Sequence, residues 1–221
     1  MESEFEKLDI DDVVLVLTHL QNEFWHPDGK GYVFTQNNLP HSDTKDRILR
    51  VVESCRSHNI PIIYHKETFR PGHPELKLRR RGYVRGSGRV LKLPEENMAV
   101  RGQWGSETLD ELKPVAEKPE YEIDNARVDP FTCSEFEPLL RNLERNIVVL
   151  VGLATNFGIE MTARSANERD YGVIILEDCV DRMLGEYSER TLTELLPYYG
   201  RVISSSEFIT EIETSCDSLF D

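Results

Sequence analysis

The stretch Ile147–Ala166, IVVLVGLATNFGIEMTARSA, decides the fold. It opens with a continuous β-branched run, Ile147 to Val151, too short for a helix and apolar on both faces. That pattern predicts a central strand in a covered parallel sheet. Gly152 breaks the run, Thr155 and Asn156 follow as cap-type residues, and a helical pattern begins. Strand, tight turn and helix start together aim backbone N–H groups at one point, a place suited to an oxyanion or a nucleophile. An ordinary strand–helix connection of any α/β protein has the same outline.

Working outward, Val13–Leu17 is a second continuous apolar run, ending in Thr18, His19, Leu20, Gln21 and Asn22. A buried strand that delivers polar residues at its C-terminal end is where open α/β folds place their sites. Asp43 is set to cap a helix through about His58, with Ile48, Val51, Val52 and Cys55 on one face, and Pro61–Tyr64 follows as a short strand. Tyr121–Ile123 predicts a brief strand leading to Asn125, and Ser134 with Glu137 reads as a capping box for a helix through about Arg145. Gly172–Leu176 is a further buried strand, Ser188 is set to cap a helix through about Tyr198, and Arg201–Ser204 is a last strand. The expected architecture is a three-layer α/β/α domain over residues 1–221, with flanking tails at 1–11 and 210–221. The second tail is expected to pack on a neighbouring subunit or to fray.

Residues 66–107 differ from the rest, with Pro71, Gly72, Pro74, Gly82, Gly86 and Gly88 among Lys77, Arg79, Arg80, Arg81, Arg85, Arg89 and Lys92. A long irregular segment in a compact domain is usually functional. A basic patch here could draw in an anionic metabolite or dock an acidic face of another subunit. The fragment RGSGRV is no phosphate loop, because it lacks the preceding strand and the Lys-Ser/Thr ending.

Among the 221 residues, 26 Lys and Arg face 40 Asp and Glu, a net charge of −14. So acidic a surface argues against nucleic acid and anionic membranes as partners. No apolar run approaches a membrane span, and MESEFEKLDIDD does not read as a signal peptide, so a cytoplasmic protein is expected. Cys55, Cys133, Cys179 and Cys216 are widely spaced without a C-x-x-C pair, which favours free thiols over disulfides or zinc. Cys133 stands at a helix start, where a thiol pKa can fall, but reads as a structural cysteine, and Cys179 reads as core. His65 and His73 match no common zinc spacing, so no metal and no cofactor are expected.

Four ordered blocks carry a family resemblance: THLQNEF at Thr18–Phe24, RGQWG at Arg101–Gly105, EYEIDNARVDPF at Glu120–Phe131 and VGLATNFGIEMTARSA at Val151–Ala166. They resemble the isochorismatase-like hydrolases, a superfamily of nicotinamidases, N-carbamoylsarcosine amidases and true isochorismatases, over about Val13 to Phe208. The resemblance implies a mostly parallel, Rossmann-like sheet of about six strands. It also implies an Asp, a Lys and a Cys at the positions held here by His19, Asn125 and Gly158. Lys118 could serve as the Lys only by a slip that abandons the match of Arg127, Asp129 and Phe131. True isochorismatases also resemble this chain in having glycine at the Cys position and work through the Asp. His19 keeps proton chemistry but not the negative charge, and Asn125 keeps hydrogen bonding without charge.

The resemblance further implies that Gln21, Phe24, Trp104, Ala154, Thr155 and Asn156 line or brace the pocket, as does Asn22. It implies a cis peptide at Leu153–Ala154, with the N–H groups of Ala154 and Gly158 converging. Two functions follow as expectations. One is an enzyme acting on a small carbonyl- or carboxylate-bearing metabolite by acid–base chemistry, with His19 pointing into the pocket near Asn125 and Gly158. Arg81 or Arg85 would then face its mouth, from this subunit or from a partner in a homodimer or tetramer. The alternative is a catalytically inactive relative that binds a ligand or a protein.

Overall fold

The computed structural model describes residues 8–76 and 98–217. Among these residues six strands form one parallel sheet: β1 (Val13–Thr18), β2 (Ile62–Glu67), β3 (Glu120–Asn125), β4 (Ile147–Gly152), β5 (Gly172–Val180) and β6 (Arg201–Ile203). Their order across the sheet is β3-β2-β1-β4-β5-β6, so the two runs read as central strands lie side by side. Alternation along each strand sorts its side chains between two layers. Val13, Leu15 and Leu17 of β1 join Val149 and Val151 of β4 on one face, and Val14 and Val16 join Val148 and Leu150 on the other.

The helices cover both faces. They are α1 (Asn22–Trp25), α2 (Thr44–Ser57), α3 (Phe136–Asn142), α4 (Glu160–Asn167), α5 (Glu186–Arg190) and α6 (Ser205–Asp217). Ile48, Val51, Val52 and Cys55 of α2 pack on the first face, while Phe136 and Leu140 of α3 and Ala163 and Ala166 of α4 pack on the second.

Several boundaries differ from the sequence reading. β2 runs on to Glu67, so Lys66 and Glu67 belong to the sheet and not to the long connection. Asp43 precedes α2, but its side chain accepts from Arg47 and not from the helix amides. Only half of the capping box at Ser134 forms: the Ser134 hydroxyl accepts the Phe136 N–H at 3.1 Å and donates to Pro130 O, but Glu137 pairs with Arg141 and Arg169, and α3 stops at Asn142. Ser188 lies inside α5, whose N-cap is Gly185. The expected tail is instead α6, with Phe208 and Ile212 fully buried in the chain's own core. Ser215 donates to Leu8 O at 2.7 Å, tying this helix to the other end of the described chain. The i, i+4, i+7 spacing of Phe208, Ile212 and Ser215 gives α6 one inward face despite its acids.

Candidate functional site

The centre of the site is where β1 and β4 end together. Gly152 has φ +109°, and a Cβ there would collide with the Thr18 carbonyl, so only glycine lets the two strand ends touch. The Leu153 N–H donates to Thr18 O at 2.9 Å, and the Leu153–Ala154 peptide is cis, as the resemblance implies. On the β1 side the chain turns through His19, whose φ of 55° is left-handed for a non-glycine residue. Such a backbone persists only where its surroundings hold it. Here the His19 N–H donates to His65 O at 2.8 Å.

Between these turns lies a cavity of about 50 Å³. Its walls are Phe24, Phe34, Val128, Leu153, Ala154, Phe157, Gly158 and Met183, and its polar side chains are His19 and Glu67. A water needs about 10–15 Å³ on this measure, so the space suits a few waters or a very small ligand group. The His19 ring lies 4.8 Å from that of His65 and 6.3 Å from that of Phe24.

Gly158 is confined. A Cβ there would stand 2.7 Å from Leu153 O, 2.9 Å from Thr18 Cγ2 and 3.3 Å from His19 Nε2. The backbone contact is too close for any side chain to be accepted without movement. His19, Gly158, Phe24 and Ala154 are therefore brought together as expected.

Asn125 is not. Its amide donates to Asp129 O and Thr132 O at 3.2 and 3.1 Å, and its Oδ1 accepts from the Arg127 N–H at 3.1 Å. Those bonds shape the turn after β3, and Asn125 does not line the cavity. Gln21, fully buried, clasps Glu67 through both its N–H (2.8 Å) and its carbonyl (3.0 Å) and also donates to Ser106 O. Trp104 is 46% exposed, packs edge-on to His26, and offers its backbone carbonyl to Asn22. The Asn156 side chain donates to Thr191 Oγ1 and accepts from Ser188. These four residues brace loops, and none of them is among the cavity's lining residues. Arg81 and Arg85 lie outside the described residues.

The N–H of Thr155, read as one of several free amides, is taken by Asp181 Oδ2 at 2.7 Å, and its hydroxyl donates to Asp181 O. The other oxygen of Asp181 accepts from Met183 N at 2.7 Å. Burial pushes the Asp181 carboxyl up to about 6, against the lowering effect of these bonds and of Arg182. Burial likewise pulls the fully enclosed His65 imidazole down to about 4, with the Arg127 backbone acting weakly the other way.

Sequence reasoning missed His65, Glu67 and Asp181. The signal for the first two was the period of two continuing from Ile63 through His65 to Glu67, hidden because those residue types suggest a loop. Cys55 and Cys179 are buried, with thiols pushed up by burial, and Cys133 is exposed outside the cavity lining. His73 bonds Met98 O, and among the described residues no group of three His, Cys, Asp or Glu is disposed to hold a metal. No described helix is long and apolar enough to cross a membrane.

The same fold recurs in solved structures. A cysteine hydrolase from Pseudomonas syringae pv. phaseolicola superposes with a TM-score of 0.80 at 20% identity, covering 97% of this chain and all (100%) of the other. N-carbamoylsarcosine amidase from Thermoplasma acidophilum gives 0.68 at 23% identity, covering 88% and 96%. At these identities the likeness is one of fold. In sequence the chain is 25% identical over 168 residues to the isochorismatase family protein YwoC of Bacillus subtilis, covering 74% of this chain and 80% of that one. It is 26% identical over 170 residues to the ureidoacrylate amidohydrolase RutB of Caulobacter segnis, covering 72% and 68%. The isochorismatase domain pattern matches residues 13–207, from the first residue of β1 into α6, and with that span this chain belongs to the isochorismatase family.

Proposed function

We propose that the chain is an enzyme that works without a cysteine nucleophile, with His19 as acid or base toward a small, neutral, carbonyl-bearing metabolite. The observation that carries this reading is the space at Gly158. A side chain there would meet Leu153 O at 2.7 Å and His19 Nε2 at 3.3 Å. An imidazole thus borders the place from which a thiolate would attack, and it can exchange a proton with a carbonyl oxygen or with a water. Such acid–base assistance contributes about 10²–10⁴ in rate.

Cavity chemistry supports a neutral ligand. The walls are mainly apolar, and a carboxylate would meet Glu67 with no Lys or Arg among the described lining residues. The names of the relatives, an ureidoacrylate amidohydrolase and an N-carbamoylsarcosine amidase, support a carbonyl group in the ligand. A second reading, ligand binding without turnover, is favoured by the commitment of Asn125, Thr155 and Asn156 to bonds within the chain.

The test is a panel of small amides, ureas, lactams and aldehydes followed for turnover and binding, with nicotinamide included. Turnover of a neutral carbonyl compound, abolished by His19→Phe with the melting temperature within a few degrees, is expected, and nicotinamide should survive. Binding without turnover would select the second reading. Nicotinamide hydrolysis that is lost in Cys133→Ser would overturn both, because a cysteine nucleophile would then carry the reaction.

A further inference from the structure

His65 is fully buried in β2, among the described residues neither ring nitrogen completes a hydrogen bond of full geometry, and the Arg127 backbone acts on the ring as a polar neighbour. A buried imidazole so thinly satisfied is costly, and a native structure that keeps one calls for an explanation. Its surroundings are specific. It pairs level with Thr18 of β1, its carbonyl accepts the N–H of the left-handed His19, and the two rings lie 4.8 Å apart with planes tilted by 48°.

We propose that His65 is a positioning residue for His19: its carbonyl and its ring fix the turn and tilt of the His19 imidazole, and its own imidazole stays neutral, leaving His19 as the one that exchanges protons. This inference rests on the acid–base reading of the cavity. Two imidazolium charges at that spacing repel strongly in a poorly polar interior, so the pair holds at most one added proton near neutral pH. The surroundings select which ring takes it. His65 is sealed, and burial pulls it to about 4, whereas His19 borders the cavity together with Glu67.

Other charged groups on the packed elements are directed elsewhere. Glu23 of α1 gives its two oxygens to the amides of Lys30 and Ala99, and Lys66 pairs with Glu122 and Asp124 of β3. Asp129, in the loop after β3, accepts from Phe131, Thr132 and Ser165, and Arg127 acts on His65 through its backbone.

The experiment uses the full chain labelled with ¹⁵N in its imidazoles, followed by two-bond proton–nitrogen correlation spectra from about pH 4.5 to about 8. In the wild type, His65 should remain neutral in one tautomer throughout while His19 titrates. Titration of His65 in that range would overturn the proposal without any variant. In His65→Phe, or in His65→Gln should the first not fold, the His19 midpoint should move by about half a pH unit or more, or its tautomer should change. A folded variant in which His19 titrates as before with the same tautomer, whatever its melting temperature, would show that His65 only packs. No substrate enters these measurements, so the inference can fail while the acid–base reading stands, and a failed turnover panel leaves this result readable.

Discussion

The floor of the cavity and the rim of polar side chains around it belong to the same end of the sheet, yet they are built on different terms. On the rim, Gln21, Asn125, Thr155 and Asn156 place their hydrogen bonds on this chain's own backbone and side chains. On the floor, an imidazole, a glycine and apolar walls face a small cavity. The rim holds the loops in place, and the floor presents the chemistry. Polar residues in the most recognisable sequence blocks thus report loop architecture more than ligand contact.

Breaking the rim should therefore cost stability first. Gln21→Ala would strip partners from the Glu67 N–H and carbonyl and from Ser106 O, all deeply buried. The expected loss is about 3–5 kcal/mol in denaturant unfolding, the largest of this set. A smaller loss would mean that water reaches the clasp.

Asp181→Asn replaces one of two carboxylate acceptors with an NH₂ group facing a backbone N–H, an expected loss of about 2–3 kcal/mol. It also has a pH signature. The folded carboxyl titrates near 6, above its ordinary 3.8. The folded state therefore holds the proton longer, and wild-type stability should fall by about 3 kcal/mol in all as pH rises from about 3 to about 7, with about 2 of it lost between about 4 and about 6. The variant lacks that contribution, so its deficit should narrow over the same window. A deficit that widens would show the carboxylate to be the favoured form.

On the floor, Gly158→Ala should cost about 2 kcal/mol through the Leu153 and Thr18 contacts, and Gly158→Cys should create no amide hydrolysis. Nicotinamide turnover by Gly158→Cys would show that the loop yields more readily than its contacts imply. At the small end, Trp104→Ala should change stability by no more than about 0.5 kcal/mol and leave ligand binding alone, because its carbonyl is what holds Asn22. A tenfold loss of binding would move Trp104 from the rim to the floor.

The contrast also marks what was legible in the sequence. β1 and β4 were, because runs of Val, Leu and Ile have no other stable use than a strand covered on both faces. The family and the meeting of His19 with Gly158 were legible through ordered blocks, since three of the four sit at strand ends. The destination of a polar side chain was not. Nothing in the spacing of Asn125 says whether its amide turns to a cavity or to Asp129 and Thr132, four and seven residues on in the same loop. Buried polar residues at strand ends were missed for a related reason: His65 and Glu67 carry the composition of a loop and the geometry of a strand. The α6 helix was missed because acids mask its one apolar face.

The crowding at Gly158 has a consequence for how this sequence can change over generations. Position 158 and position 19 share one volume, so a substitution tolerated at one depends on what stands at the other. A side chain gained at 158 while histidine remains at 19 is selected against through misfolding before any new chemistry can be tested. The viable order runs through a smaller residue at 19 and a shift of the Leu153 carbonyl, and only then a nucleophile at 158. With each intermediate less fit than either end, the present pair is hard to leave and hard to reach alike, and relatives that keep histidine at the first position should keep glycine at the second.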